Sequence, residues 1–123
     1  MDSMIKQVKF VSIAFEDQDR ALAFYSEKMG FLVATDRPFT AEQRWIELTI
    51  PGAETGIVLF RMDGEKPGGR MNFSLSCSNI EETYKELSAR GVQFIQPPTK
   101  QEWGTFAMMV DSEGNKIVIS SRS

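Results

Sequence analysis

One pattern occurs twice in this chain, and the repeat limits its fold more than any other feature. Residues 10–31 read FVSIAFEDQDRALAFYSEKMGF, and residues 72–94 read NFSLSCSNIEETYKELSARGVQF. Each copy opens on a short apolar or alternating run. Each then sets Asp17 or Asn79 before a stretch of helical spacing, and closes at Gly30 or Gly91 before a new apolar run. Alternation with period two marks strands. Asp and Asn are preferred helix N-caps, and glycine supplies the left-handed residue that ends a helix. Neither half of a 123-residue chain can cover its own faces, so the two halves are expected to share one core.

Taken in order, residues 5–15 read as a strand, followed by a helix capped by Asp17 and running to about Met29. Strands are expected at 31–35, 44–50 and 56–62, with a loop from Arg37-Pro38 and a turn at Pro51-Gly52. Residues 63–70, DGEKPGGR, read as a linker. The second half has a strand at 71–77, a helix from the Asn79 cap to about Arg90, and a strand at 92–95 that Pro97-Pro98 ends. A hairpin of 105–110 and 116–120 closes the chain. Each half is therefore β-α-β-β-β. The expected fold class is α+β: two paired βαβββ modules forming a curved mixed sheet around a cavity. The whole of 1–123 is one domain in this scheme, with module 1 at about 5–62, the linker at 63–70 and module 2 at about 71–121.

Alternation also assigns faces. Val11, Ile13, Phe15, Ile46, Leu48, Ile50, Ile57, Leu59, Phe73, Leu75, Cys77, Ile117 and Ile119 form the more apolar side, which is expected to face the helices. The opposite side is mixed: Phe10, Ser12, Trp45, Glu47, Thr49, Val58, Phe60, Asn72, Ser74, Val118 and Ser120. A mixed face with a few polar groups is what a ligand cavity needs.

Composition excludes several kinds of chemistry. The chain has no histidine, which removes Ser-His-Asp and Cys-His catalysis and the commonest ligand of transition metals. The net charge of −3, with no Lys/Arg run, argues against nucleic acid. No apolar run approaches the ~18 residues of a membrane span, and no signal-peptide core precedes the first strand. No membrane partner and a cytoplasmic location are therefore expected. Cys77 is alone, so it forms no internal disulfide, and its place in an apolar strand marks it as a packed thiol.

The segments DQDRALAFYSEKMGF, PGAETGIVLF and DSEGNKIVIS resemble the glyoxalase / bleomycin-resistance / extradiol-dioxygenase (vicinal oxygen chelate) superfamily. RWIEL followed by PGAETGIVL is similar to the subgroup known as "glyoxalase family protein". The resemblance implies paired βαβββ modules, usually dimers, with a cavity under the curved sheet. It also implies where the enzymes of the family hold a divalent metal: on the first and fourth strands of each module, typically with His and Glu. In this chain those positions are Phe10, Val58, Asn72 and Val118. Phe and Val cannot coordinate, and a lone Asn carbonyl is a weak neutral donor. No metal and no cofactor are expected.

The candidate ligand-binding residues are Phe10, Ser12, Trp45, Glu47, Val58, Asn72, Ser74, Trp103 and Val118. Trp45 offers a stacking surface, or else a packing or dimer-interface residue. Glu47 offers a partner for a cation or a weak candidate for acid–base catalysis, or else a solvated strand carboxylate. Trp103 borders the cavity or anchors its loop. Arg44 and Arg61 are candidate anion contacts at strand ends, against an ordinary surface role. Phe24 and Tyr25 read as helix packing. The first expectation for function is a metal-free small-molecule-binding homodimer that sequesters an aromatic or cationic ligand. A lyase, isomerase or other enzyme of the same fold with relocated chemistry on Glu47 is one alternative. A structural or regulatory dimeric partner protein is another.

Overall fold

A computed structural model describes residues 2–122. The elements run β1 Phe10–Ile13, α1 Gln18–Ala23, a π-helical turn Phe24–Lys28, β2 Leu32–Pro38, β3 Arg44–Thr49 and β4 Gly56–Leu59. The second module follows with β5 Arg70–Ser76, α2 Ile80–Ala89, β6 Gln93–Gln101, β7 Gly104–Val110 and β8 Lys116–Ser121. The fold is α+β with two βαβββ modules, as the repeat requires. Each module forms its own mixed four-stranded sheet, in the orders β1-β4-β3-β2 and β5-β8-β7-β6. Among the described residues no ladder joins the two sheets.

The caps behave as the side chains dictate. Asp17 accepts from the Arg20 N–H at 3.1 Å, and Asn79 accepts from the Glu82 N–H at 3.2 Å. Gly30 and Gly91 end the two helices at φ +79° and +93°. The first helix widens at its C-terminal end, where the Met29 N–H donates to the Phe24 carbonyl. Through this wider turn the consecutive Phe24 and Tyr25 are both buried, at 7% and 1% exposure.

Strand lengths differ from expectation for tertiary reasons. β1 covers only Phe10–Ile13, because its partner β4 offers only Gly56–Leu59 to pair with. Residues 5–9 lie outside it, with Ile5 and Val8 exposed. β4 stops early because the Gln43 side chain takes over the Arg61 backbone, accepting from its N–H and donating to its carbonyl. Three prolines expected in a loop or at a strand end belong to strands instead, Pro97 and Pro98 inside β6 and Pro38 as the last residue of β2. β2 extends through Arg37-Pro38, and β6 passes through Pro97-Pro98 to Gln101. Both are edge strands, where a missing N–H costs no ladder bond, and β6 shifts register between Gln96 and Thr99.

Most of the expected helix-facing residues are buried in the core, while Val11, Ile50, Phe73, Leu75 and Cys77 pack against it only partly buried. Ile13, Ile46, Leu48, Ile57, Leu59 and Ile117 are at most 1% exposed. One hydrophobic cluster draws on both modules. A polar lock also joins them. The β7–β8 turn of module 2 reaches under α1: Glu113 accepts from the Glu16 and Asp17 N–H groups, each at 2.9 Å, and pairs bidentately with Arg20. Asp111 accepts from the Tyr25 hydroxyl, and Asn115 donates to the Ala14 carbonyl. Burial and the Asp111 charge both push the Tyr25 hydroxyl well above its ordinary value, so it stays a donor.

The Glu113 side chain is fully shielded from solvent. Burial by itself pushes its carboxyl up. Hydrogen bonds from Arg20, Ser112 and the two N–H groups outweigh this and hold it at about 2, against an ordinary 4.5. A carboxyl held low in the folded state stabilises that state above its ordinary value, and the contribution fades as pH falls toward the folded value. Thermal unfolding in a pH series is thus expected to show stability declining between pH 4.5 and about 2. Glu113→Gln is expected to flatten that decline; an unchanged acid limb in the variant would refute the assignment.

Candidate ligand-binding site

Cross-strand register aligns the open faces, the sides turned away from the helices. In sheet 1 the row is Ser12, Val58, Glu47, Thr35. In sheet 2 it is Ser74, Val118, Met108, Gln96. The rows occupy matching positions of the repeat, so the duplication holds in three dimensions. Residues directly opposite each other in a ladder share a face, so each row is one strip of side chains across its open face.

The nine candidate residues fall into two groups. Phe10, Ser12, Trp45, Glu47 and Val58 lie on module 1. The Phe10 ring meets Trp45 edge-on at 5.9 Å. Trp45 lies 5.0 Å from Phe60 and 6.1 Å from Phe39, and its Nε1–H donates to Glu47 Oε1 at 2.8 Å. Val58, beneath this face, is 0% exposed. Phe10, Glu47 and Val58 border a recess of about 230 Å³ with Gln7, Lys9, Thr49 and Glu54. Asn72, Ser74, Trp103 and Val118 lie on module 2 and border a second recess of about 410 Å³ with Ser120. Trp103 is 59% exposed and stacks on Phe106 at 6.2 Å. Each open face thus carries part of the candidate set beside its own recess. The outer edges of β1 and β5 have no ladder partner among the described residues.

Two residues outside the nine candidates belong to the module 1 wall. Phe39 follows β2 in a segment read as loop, and only the tertiary structure turns it against Phe60 at 5.1 Å. Phe60, already placed on the mixed face, joins Trp45 and Phe39 there. The two arginines considered as anion contacts are engaged otherwise. Arg44 pairs with Asp19 and Asp36, each at 2.9 Å. Arg61 donates to the Phe15 carbonyl and covers its ring at 5.8 Å. Cys77 is half-buried, with its thiol toward the Ser120 carbonyl.

The four positions that hold a metal in the enzymes of the resembled family do not suit one here. Phe10 is engaged with Trp45, Val58 is sealed in the sheet, and Val118 is aliphatic. Asn72 alone has a donor oxygen, and no group of three or more His, Cys, Asp or Glu among the described residues converges as a metal set. Among the described residues no helix is long and apolar enough to cross a membrane.

Residues 7–119 match the family described as the Glyoxalase/Bleomycin resistance protein/Dioxygenase superfamily. The chain belongs to this superfamily. It is 37% identical over 118 residues to the uncharacterized protein YetH of Bacillus subtilis (strain 168), covering 94% of this chain and 98% of YetH. A superfamily member from Sphaerobacter thermophilus DSM 20745 superposes with TM-score 0.87 at 34% identity, covering 97% of this chain and 99% of that one. TnmS3, an antibiotic-binding protein from Streptomyces sp. CB03234, superposes with TM-score 0.87 at 31% identity, covering 99% of this chain and 100% of TnmS3. Within the superfamily, then, the chain keeps the two-module scaffold.

Proposed function

We propose that this chain is a metal-free small-molecule-binding protein that sequesters a partly aromatic ligand between two half-sites. The observation that carries this reading is the chemistry at Phe10, Val58, Asn72 and Val118, three apolar side chains and one neutral amide where a metal would need a converging set of ligands. Likeness to an antibiotic-binding protein at 31% identity supports sequestration as the task. Stacking surface and a few polar groups are sufficient for it. Two copies would close the site. Among the described residues β1 and β5 each leave one edge unpaired, which permits module 1 of one copy to face module 2 of the other, and the hydrophobic cluster drawn from both modules supports reading 1–123 of each copy as one domain.

Native mass spectrometry of protein purified without chelator is expected to give a dimer of the 13.9 kDa chain with no stoichiometric metal. Tightly bound zinc, nickel or iron would overturn the metal-free reading, and a monomer would overturn closure by two copies. In a thermal-shift screen of antibiotics and aromatic metabolites, ligands selective for the folded state are expected to raise the unfolding temperature by mass action. A screen without hits would count against sequestration.

A further inference from the structure

We propose that the module 1 wall selects a planar ligand with a hydrogen-bond donor on its rim, Trp45 supplying the stacking surface and Glu47 the acceptor; this rests on the binding reading above. The indole is fixed before any ligand arrives. Phe10, Phe39 and Phe60 hold it at centroid distances of 5.9, 6.1 and 5.0 Å. Its Nε1–H donates to Glu47 Oε1 at 2.8 Å, which also fixes the carboxylate beside the ring. The second oxygen, Oε2, accepts no hydrogen bond among the described residues. Among the described residues Glu47 joins no ion pair, and neither does Arg37, which stands opposite Trp45 in the β2–β3 ladder.

A half-buried carboxylate on an aromatic wall keeps its free oxygen hydrated until a ligand covers it. Covering it without replacing that water leaves a charged acceptor unpaired, which is costly. A phenol, an amide N–H or a protonated nitrogen at the ligand's edge restores the bond, and a charge-assisted bond is the stronger kind. A ligand with acceptors only, or with an anion at that edge, binds more weakly. The selection belongs to one module. Glu47 pairs with Val58, and the matching partner of Val118 in module 2 is Met108, which has no charge. The ligand's donor-bearing edge is therefore oriented toward module 1.

Isothermal titration with β-naphthol and with its methyl ether tests this, at a pH where the naphthol is protonated. The two share the planar ring system and differ in the donor. The wild-type protein is expected to prefer the naphthol by about tenfold, the value of one charge-assisted hydrogen bond. In Glu47→Gln the side-chain oxygen remains occupied by the Trp45 N–H, so the amide turns its own N–H toward the ligand. The preference should then vanish or reverse toward the ether, which a merely structural Glu47 would not cause. Equal binding of both compounds by the wild type overturns the donor selection and leaves sequestration standing. A preference kept unchanged in Glu47→Gln overturns the role of Glu47. Binding of neither compound overturns the inference, whereas the binding reading itself falls only on the screen described above.

Discussion

Asp111→Ala is expected to cost about 3–5 kcal/mol of folding stability, among the largest effects of any single substitution in this chain. Asp111 is 6% exposed and occupied on both oxygens. Oδ1 accepts from the Glu113 N–H at 2.8 Å and the Asn115 N–H at 2.9 Å. Oδ2 accepts from the Tyr25 hydroxyl and, at 2.9 Å, from Asn115 Nδ2. Alanine would strand these donors in places that water does not reach, since Tyr25 and Asn115 are each 1% exposed. A buried donor without a partner costs about 1–3 kcal/mol, and partial relaxation keeps the sum below four full penalties. Against a total stability of about 5–15 kcal/mol, the variant would be marginal. The same turn also ties the segment leading into α1 to module 2 through Glu113 and Asn115. Urea unfolding followed by circular dichroism measures it. A loss below about 1 kcal/mol would show that Asp111 is not the hub of the polar lock.

Gly104→Ala is expected to cost about 2–4 kcal/mol. Gly104 sits at φ +149° where β7 begins, a conformation that side chains avoid. A Cβ added there would overlap the Ser121 carbonyl oxygen and stand 3.1 Å from Arg122 Cα. Both obstacles are backbone, so β7 or β8 has to move. Gly52 provides the contrast: it also has positive φ, at +84°, but an added Cβ meets nothing within 4 Å. Gly52→Ala should cost only the conformational term, about 1–2 kcal/mol. Comparing the two unfolding midpoints separates close approach from backbone strain. If both variants lose the same stability, the tight contact at Gly104 is not what constrains it.

The repeat made the fold readable because its signals are local. Asp17 and Asn79 act as caps through bonds to N–H groups three residues away, and Gly30 and Gly91 end helices by their own dihedral angles. The apolar faces were readable for the same reason, since alternation along one strand needs no knowledge of its neighbours. The site was readable only in part. Trp45, Glu47 and Phe10 could be placed on one face, but not the hydrogen bond and edge contact that bind them together. Phe39 gave no periodic signal, and its role depends on how the chain turns back after β2.

Strand extent was decided by pairing. β1 could alternate over residues 5–15 and still be limited to Phe10–Ile13, because a strand lasts only as long as its partner. Pro38, Pro97 and Pro98 belong to strands because β2 and β6 take the outer edges, and sheet order is a property of the whole fold. Taken by itself, the sequence determined the modules, their caps, their faces and the absence of metal-ligating side chains at Phe10, Val58 and Val118. The tertiary structure alone decided that the candidate residues divide between two open faces, and that Glu113 locks α1 from nearly a hundred positions away. The physical reason is range: capping and periodicity act within a few residues, whereas ladders, aromatic clusters and buried polar hubs exist only when distant segments close on one another.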